Sequence, residues 1–242
     1  MAEQKYIVGI DVGGTFTDLL CLNSESQELL SEKVPSIPGR QWEGVLGALE
    51  KLGIDYSEIR AFVHGTTIAT NALLERKGAK TGLVTTDGFR DTLEIGRTRR
   101  LIGGLFDIKF VRPKPLVSRD LRVEIDERVA ANGEILKTAA EVDFSPIMEK
   151  FRESGVESIA IAFMNAYRND ANEAAALAKL QALAGDIPVC ASTGVVPEKG
   201  EFERFSTCVL NAYLTPVIRT YLNTLAGELE GQGISAPVNV MG

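Results

Sequence analysis

The residues best suited to chemistry lie in two short segments. The first, Gly9-Ile-Asp-Val-Gly-Gly-Thr-Phe-Thr-Asp18, sets one carboxylate, Asp11, just ahead of a pair of glycines. Gly13 and Gly14 let the backbone turn tightly and present N–H groups to an anion, and the hydroxyls of Thr15 and Thr17 add donors. That is the chemistry of a phosphate cradle. Asp11, at the end of an apolar strand, is the carboxylate that would hold a hydrated Mg²⁺ against the phosphates, because magnesium keeps several waters and takes only one or two protein carboxylates. A plain Gly-Gly hairpin, with Asp11 and Asp18 bonded to turn amides, accounts for the same residues. Neither G-x-x-x-x-G-K-[ST] nor G-x-G-x-x-G occurs here, which disfavours a P-loop enzyme or a Rossmann dehydrogenase.

The second segment, His64-Gly-Thr-Thr-Ile-Ala-Thr-Asn71, joins a strand to a helix. Gly65, Thr66 and Thr67 would stand at the helix N-terminus, where unpaired N–H groups and the positive dipole end favour a phosphate or carboxylate. The competing reading is structural: Thr66 or Thr67 caps the helix, Asn71 faces solvent and His64 is a polar strand-end residue. His64 is the only histidine, so multi-His metal sites are excluded and at most one Ser-His-Asp arrangement is left.

These segments need elements to hold them. Tyr6–Val12 reads as a buried strand and 16–22 as its hairpin partner across the Gly-Gly turn. A third strand is expected at 28–34 and a helix at 41–52, after the breaks at Pro35 and Pro38-Gly39. A strand at 61–63, a helix at 67–77 stopped by Gly78 and a strand at 80–85 read as a βαβ unit with parallel pairing. Periodicity fails from Arg97 to Pro115, which reads as a long surface excursion. Residues 121–128 alternate and turn at Ala131–Gly133 into 134–136 as a hairpin. An α/β unit follows: a helix through Phe144, Ile147, Met148 and Phe151, a strand at 158–163, a helix from Asp170 to about Ala184 opened by an Asp170/Glu173 capping box, and a short strand at 189–191. The longest helical pattern covers 201–230, with Phe202, Phe205, Val209, Leu210 and Tyr213 on one face and Pro216 expected to kink or divide it. Pro237–Gly242 begins a strand and stops, as expected of the N-terminal part of a longer protein.

Composition narrows the class. The chain has 242 residues, 45% hydrophobic and 24% charged, which is enough apolar material for a folded core and excludes disorder as the main state. A net charge of −7 argues against a nucleic-acid partner. No stretch approaches the roughly 18 to 20 apolar residues of a membrane span, and no export signal is apparent. Cys21, Cys190 and Cys208 are odd in number, far apart and free of any CxxC pair; they read as reduced core thiols of a cytoplasmic protein.

Taken together, GIDVGGTFTD at 9–18, HGTTIATNALLERKGAKTGLVTTDGFRDTLEIGR at 64–97 and GEFERFSTCVLNAYLTPVIRTYL at 200–222 resemble the hydantoinase A and 5-oxoprolinase family. The order and spacing match, and the resemblance covers essentially the whole chain. It implies an α/β fold of the ribonuclease H-like, actin-type ATPase class, a mixed sheet flanked by helices, with residues 1–200 as the family's N-terminal domain. Residues 201–242 would be a linking helix and the start of a second hydantoinase A domain. The implied activity is ATP-dependent opening of a cyclic amide, a hydantoin, 5-oxoproline or a related lactam, through phosphorylation of the amide oxygen. By match, Asp11, Gly13, Gly14, Thr15 and Thr17 would serve ATP and Mg²⁺. His64, Gly65, Thr66, Thr67 and Asn71 would line the substrate side, and Arg97 would meet an anionic group or, alternatively, pair with Asp91 or Glu94. Glu203 and Arg204 could instead form an ion pair within the helix or between domains.

The resemblance also implies a B-type partner subunit and an oligomer, with adenosine-binding elements downstream of Gly242, so an isolated 1–242 piece is expected to be inactive. The sequence departs from the family at Thr98–Phe106, where an Arg-Pro-x-Leu-Tyr-like stretch is usual, and at Phe202, where tyrosine is usual. A small-molecule kinase of the same superfamily and a noncatalytic nucleotide-dependent module are the alternative readings. A ketone-activating carboxylase branch is more distant.

Overall fold

The computed structural model describes residues 4–37, 39–97, 109 and 113–241. Nearly all of the expected 97–115 excursion, including the departure at 98–106, lies outside the described residues, as does Pro38. The chain divides into two compact units, Met1–Lys77 with Val217–Gly242, and Gly78–Pro216.

In the first unit, β1 (Tyr6–Val12) and β2 (Phe16–Asn23) form the expected antiparallel hairpin, in register from Tyr6↔Asn23 to Val12↔Thr17. The turn closes where the Gly13 N–H donates to the Phe16 carbonyl at 3.0 Å. β3 (Leu29–Pro35) adds to β2, and α1 (Gln41–Leu52) follows. β4 (Ile59–Thr66) pairs parallel with β1, and β11 (Val238–Met241) pairs parallel with β4, giving the order β11-β4-β1-β2-β3. Alternation along β1 turns Val8, Ile10 and Val12 into a core shared with Val45, Ala48 and Leu49 of α1. Tyr221, Leu225 and Leu229, from the later part of α7 (Glu201–Gly231), close the same cluster.

The second unit has a parallel sheet ordered β10-β9-β5-β6, built from β5 (Thr81–Thr86), β6 (Arg122–Ile125), β9 (Ser158–Ala162) and β10 (Val189–Ala191). Every residue of β5 and β9 is buried, as expected of central parallel strands covered on both faces. The remaining elements are α2 (Ile68–Leu74) in the first unit, α3 (Thr92–Ile95), a small hairpin of β7 (Arg128–Val129) and β8 (Ile135–Lys137), α4 (Ser145–Glu153), α5 (Ala171–Ala184) and α6 (Ser192–Val195).

Several expectations are corrected. β4, α2 and β5 do not make a βαβ unit: both edges of β4 are taken by β1 and β11, and both edges of β5 by β9 and β6. The 121–128 stretch is two strands, β6 in the parallel sheet and β7 in the hairpin, separated where Glu127 turns its side chain inward to Thr86 and Asn172. Pro216 does not divide α7, which runs on to Gly231, although the boundary between the compact units falls immediately after it.

The Asp170/Glu173 capping box is absent. Asp170 makes no side-chain cap, and Glu173, fully buried, accepts from the Phe163 N–H (2.8 Å), the Ser192 hydroxyl (2.6 Å) and the Thr193 N–H and hydroxyl (2.9 and 2.8 Å). Arg204 completes the cluster, 3.3 Å from Glu173 and 2.6 Å from the Phe163 carbonyl. At 1% exposure it is a core residue, and its salt bridges stay within this unit. Burying two charges is tolerable only because each answers the other and most remaining lone pairs and protons are used. We therefore expect Arg204→Met, which leaves the Glu173 carboxylate buried without its cation, to lower stability by about 3–5 kcal/mol in chemical denaturation. Wild-type stability in that variant would show that the charge pair is not needed.

Candidate functional site

The parallel pairing of β1 with β4 sets Ile10 opposite His64, Asp11 opposite Gly65 and Val12 opposite Thr66. Two segments more than 50 positions apart are thereby held side by side at the ends of adjacent strands. A Cβ on Gly65 would stand 3.4 Å from Asp11 Oδ1, so the missing side chain keeps the space beside that carboxylate clear. Asp11 is exposed and, among the described residues, makes no hydrogen bond or ion pair. The hairpin alternative, in which Asp11 and Asp18 bond turn amides, is not what forms: Asp18 pairs with Lys33 at 2.7 Å.

Next to Asp11 the turn offers donors. Gly14 and Thr15 are exposed, and among the described residues their N–H groups donate to no protein acceptor. Ser36 braces the loop: its hydroxyl donates to the Gly13 carbonyl (2.9 Å), and its N–H donates to the Thr15 carbonyl (2.9 Å). Thr17, expected among the ligand-binding residues, is fully buried and its hydroxyl is engaged by Ser36 at 3.0 Å. It supports the loop from below, since alternation along β2 points it inward. A close approach by α1 depends on this, for a Cβ on Gly44 would come within 3.1 Å of Thr17 Oγ1.

From the other segment, the Thr67 N–H donates to the Val12 carbonyl (3.3 Å), tying the two loops together. The Thr66 hydroxyl oxygen accepts from the Ile68 N–H (3.2 Å), and the Thr67 hydroxyl oxygen accepts from Asn71 Nδ2 (3.3 Å). Thr66 thus satisfies one free N–H at the start of α2, while Thr67, at the N-cap position, makes no side-chain cap. Gly14, Ser36, Ile68 and Asn71 line a concavity of about 330 Å³ with Glu75 and Lys77 at its edge.

His64 is not on that surface. It is fully buried, with Nε2 2.9 Å from the Tyr221 hydroxyl and the rings inclined at 37°. Its Nδ1 has no partner among the described residues. Burial holds the imidazole below its ordinary value of 6.5, and the Asp11 carboxylate offsets this only in part. Tyr221, whose phenol burial pushes upward and keeps protonated, was not marked out by any sequence signal beyond its place in the third motif. Arg97 belongs to the other unit, where its guanidinium meets Glu203 in a two-pronged ion pair at 2.7 and 2.6 Å, rather than Asp91 or Glu94. Asp91 pairs with Arg119 and Glu94 with Arg122.

The donor set fits a phosphate with a hydrated divalent cation. Among the described residues, Asp11 is a carboxylate without a partner, the Gly14 and Thr15 N–H groups of the following turn are uncommitted, and no cluster of three or more His, Cys, Asp or Glu side chains offers an all-protein metal cage. Among those residues, no helix is long and apolar enough to cross a membrane.

Residues 7–183 match the hydantoinase/oxoprolinase N-terminal region, and the chain belongs to that family. It is 35% identical to caprolactamase subunit alpha of Pseudomonas jessenii over 245 residues, covering 98% of this chain and 35% of that one. The crystal structure of the ATP-dependent caprolactamase from that organism superposes with a TM-score of 0.86 at 34% identity, over 97% of this chain and 35% of that one. The 5-oxoprolinase of Saccharomyces cerevisiae is 32% identical over 272 residues, 95% of this chain and 21% of the relative. The fold alone is shared with nucleotide-free acetone carboxylase, at a TM-score of 0.79 and 23% identity over 98% of this chain and 36% of that one. The chain thus spans about a third of the caprolactamase subunit and a fifth of the oxoprolinase.

Two outcomes follow for the buried pair. Tyr221→Phe removes the only hydrogen-bond partner that the His64 ring has among the described residues and is expected to cost about 1–3 kcal/mol of stability. Because the folded value of His64 lies below 6.5, its contribution is fully present above that pH and is lost as pH falls through the depressed value. Denaturation midpoints of wild type and His64→Gln across this acid range should differ in slope, and parallel curves would contradict the assignment.

Proposed function

We propose that this chain forms the nucleotide-phosphate side of an ATP-dependent enzyme that opens a cyclic amide, a lactam, a hydantoin or 5-oxoproline. The observation that carries the reading is the Asp11↔Gly65 pairing, which leaves space beside a carboxylate that has no partner among the described residues, at the end of the strand that leads into the turn with the uncommitted Gly14 and Thr15 N–H groups. The names of the relatives point the same way, since one is an ATP-dependent caprolactamase and another a 5-oxoprolinase. On this reading residues 1–200 are the family's N-terminal domain and 201–242 a linking helix with the start of the next. The sheet order β11-β4-β1-β2-β3, with its antiparallel hairpin and parallel extension, supports a ribonuclease H-like, actin-type ATPase half.

The chemistry asked of the residues is limited and physical. An amide carbonyl is a poor electrophile because the nitrogen lone pair is delocalised into it. Transfer of the terminal phosphoryl group of ATP to the amide oxygen ends that delocalisation, so that water can add to the carbon and the C–N bond can break. The protein's part is to position the phosphates and neutralise charge. Gly13 supplies the tight turn, and the Gly14 and Thr15 amides face the phosphate oxygens. Asp11 would hold a hydrated Mg²⁺, which supplies positive charge to the phosphates when bound. Thr67 and Asn71, joined by their hydrogen bond, present polar groups next to Gly14. His64, buried, acts as a positioning residue that holds the backbone of Gly65 and Thr66 in place, while Thr17 does the same for the hairpin.

A B-type partner subunit, an oligomeric assembly and a cytoplasmic location complete the proposal. The word "subunit" in the caprolactamase name supports the first of these. In the full-length protein, Asp11→Ala is expected to lower cyclic-amide-dependent phosphate release at least about a hundredfold, an electrostatic loss of a few kcal/mol. An unchanged rate in a folded variant would remove Asp11 from the reaction.

A further inference from the structure

Cys190 and Cys208 stand 18 positions apart in the sequence, yet their Sγ atoms lie 3.8 Å apart inside the second unit. All three cysteines are free thiols, as expected, but these two, far apart in the sequence, meet in the fold. Cys190, on β10, is partly exposed, whereas Cys208, on α7, is fully buried. Each sulfur also faces the other residue's carbonyl oxygen, at 3.7 and 3.8 Å, so the two backbones already approach one another from both sides.

We propose that this pair is a modification site, a dithiol that hydrogen peroxide converts into an intramolecular disulfide stapling β10 to α7. A disulfide needs its sulfurs about 2.05 Å apart, so closing this bridge means drawing together sulfurs that start 3.8 Å apart. The reaction begins at Cys190, which a small oxidant can reach. Its thiolate attacks one peroxide oxygen; the S–O bond forms, the O–O bond breaks, and the departing hydroxide takes up a proton to become water. Two electrons have left the sulfur, now a sulfenic acid. The Cys208 thiol then gives up its proton, its sulfur attacks that of Cys190, the S–S bond forms and the S–O bond breaks, and hydroxide leaves with the proton as a second water. Two thiols and one hydrogen peroxide become one disulfide and two waters.

The surroundings favour Cys190 as the attacking sulfur. Its thiol is drawn down to about 7, first by its hydrogen bond with Cys208, with Asn211 adding a further one. Burial and the Glu173 charge oppose this, and Glu173 is answered by Arg204 at 3.3 Å. Cys208 is pushed up as the donor of the pair, which suits the resolving role, and Cys21, buried in the other unit and pushed up by burial, is a control within the same chain. The ring closed by the bridge contains Ser192, Thr193 and Arg204, three members of the buried Glu173 cluster.

The reduced full-length protein is treated with hydrogen peroxide, quenched, alkylated in denaturant and digested for mass spectrometry. The expected product is a peptide pair joined through Cys190 and Cys208, lighter by two hydrogens and restored by dithiothreitol, with Cys21 still alkylated. In Cys208→Ser the linked peptide is lost and dimedone captures a sulfenic acid on Cys190. The proposal is overturned if wild-type Cys190 stays a thiol, or runs on to sulfinic acid with no linked peptide. The wild-type reading stands whether or not the variant folds.

Discussion

The site depends above all on one backbone ladder, the parallel pairing of β1 with β4. Parallel strands have no local turn to set their register, so apolar packing sets it instead: Val8, Ile10 and Val12 from one strand and Ile59 and Phe62 from the other must enter the same core. Because side chains alternate with period two, a slip by one residue would turn Asp11 into that core and Ile10 out of it. The register therefore fixes the site. It sets a carboxylate opposite a glycine, leaves open space where a side chain would intrude, and brings the Val12 carbonyl to the Thr67 N–H.

Support beneath the site comes from polar residues that the core has absorbed. Thr17 and His64 are both fully buried, and each is held by a partner, Ser36 and Tyr221, distant in sequence. The second unit uses the same device on a larger scale. Glu173 and Arg204 tie α5, α6, α7 and the end of β9 together, while Glu127, its carboxyl pushed up by burial, is bonded by Thr86 and by Asn172 at 2.7 Å. Buried polar groups of this kind specify one arrangement because each alternative packing leaves a donor or acceptor unmet.

Much of the fold was legible because local signals were strong. The apolar run at Tyr6–Val12, the Gly-Gly turn and the break at Pro35 define the hairpin and third strand, and Gln41–Leu52 agrees with the helix that forms. Pairing was less legible. The β4–α2–β5 segment has the pattern of a crossover, but which sheet a strand joins depends on edges supplied by distant strands, here β11 and β9. Asp11, Gly13, Gly14 and Thr15 were legible as candidates because their types carry their own chemistry, and the structure places them together at the end of the β1–β2 hairpin. The burial of Thr17 and His64 was not legible, because a polar residue is marked as buried only by partners such as Ser36 and Tyr221. Glu173 has the spacing of a capping residue after Asp170, but the buried Arg204, thirty-one positions later, offers its carboxylate a stronger interaction than the helix end does.

The central claim is that the paired loops serve transfer of phosphate to a cyclic amide. Its most direct measurement is phosphate release from the full-length protein with magnesium and ATP, with and without a B-type subunit, across hydantoins, 5-oxoproline and lactams. A rise in rate with one class of ring, accompanied by ring opening, is the predicted result. Release that no ring compound changes, together with a phosphorylated alcohol as product, would contradict the account and make the protein a small-molecule kinase.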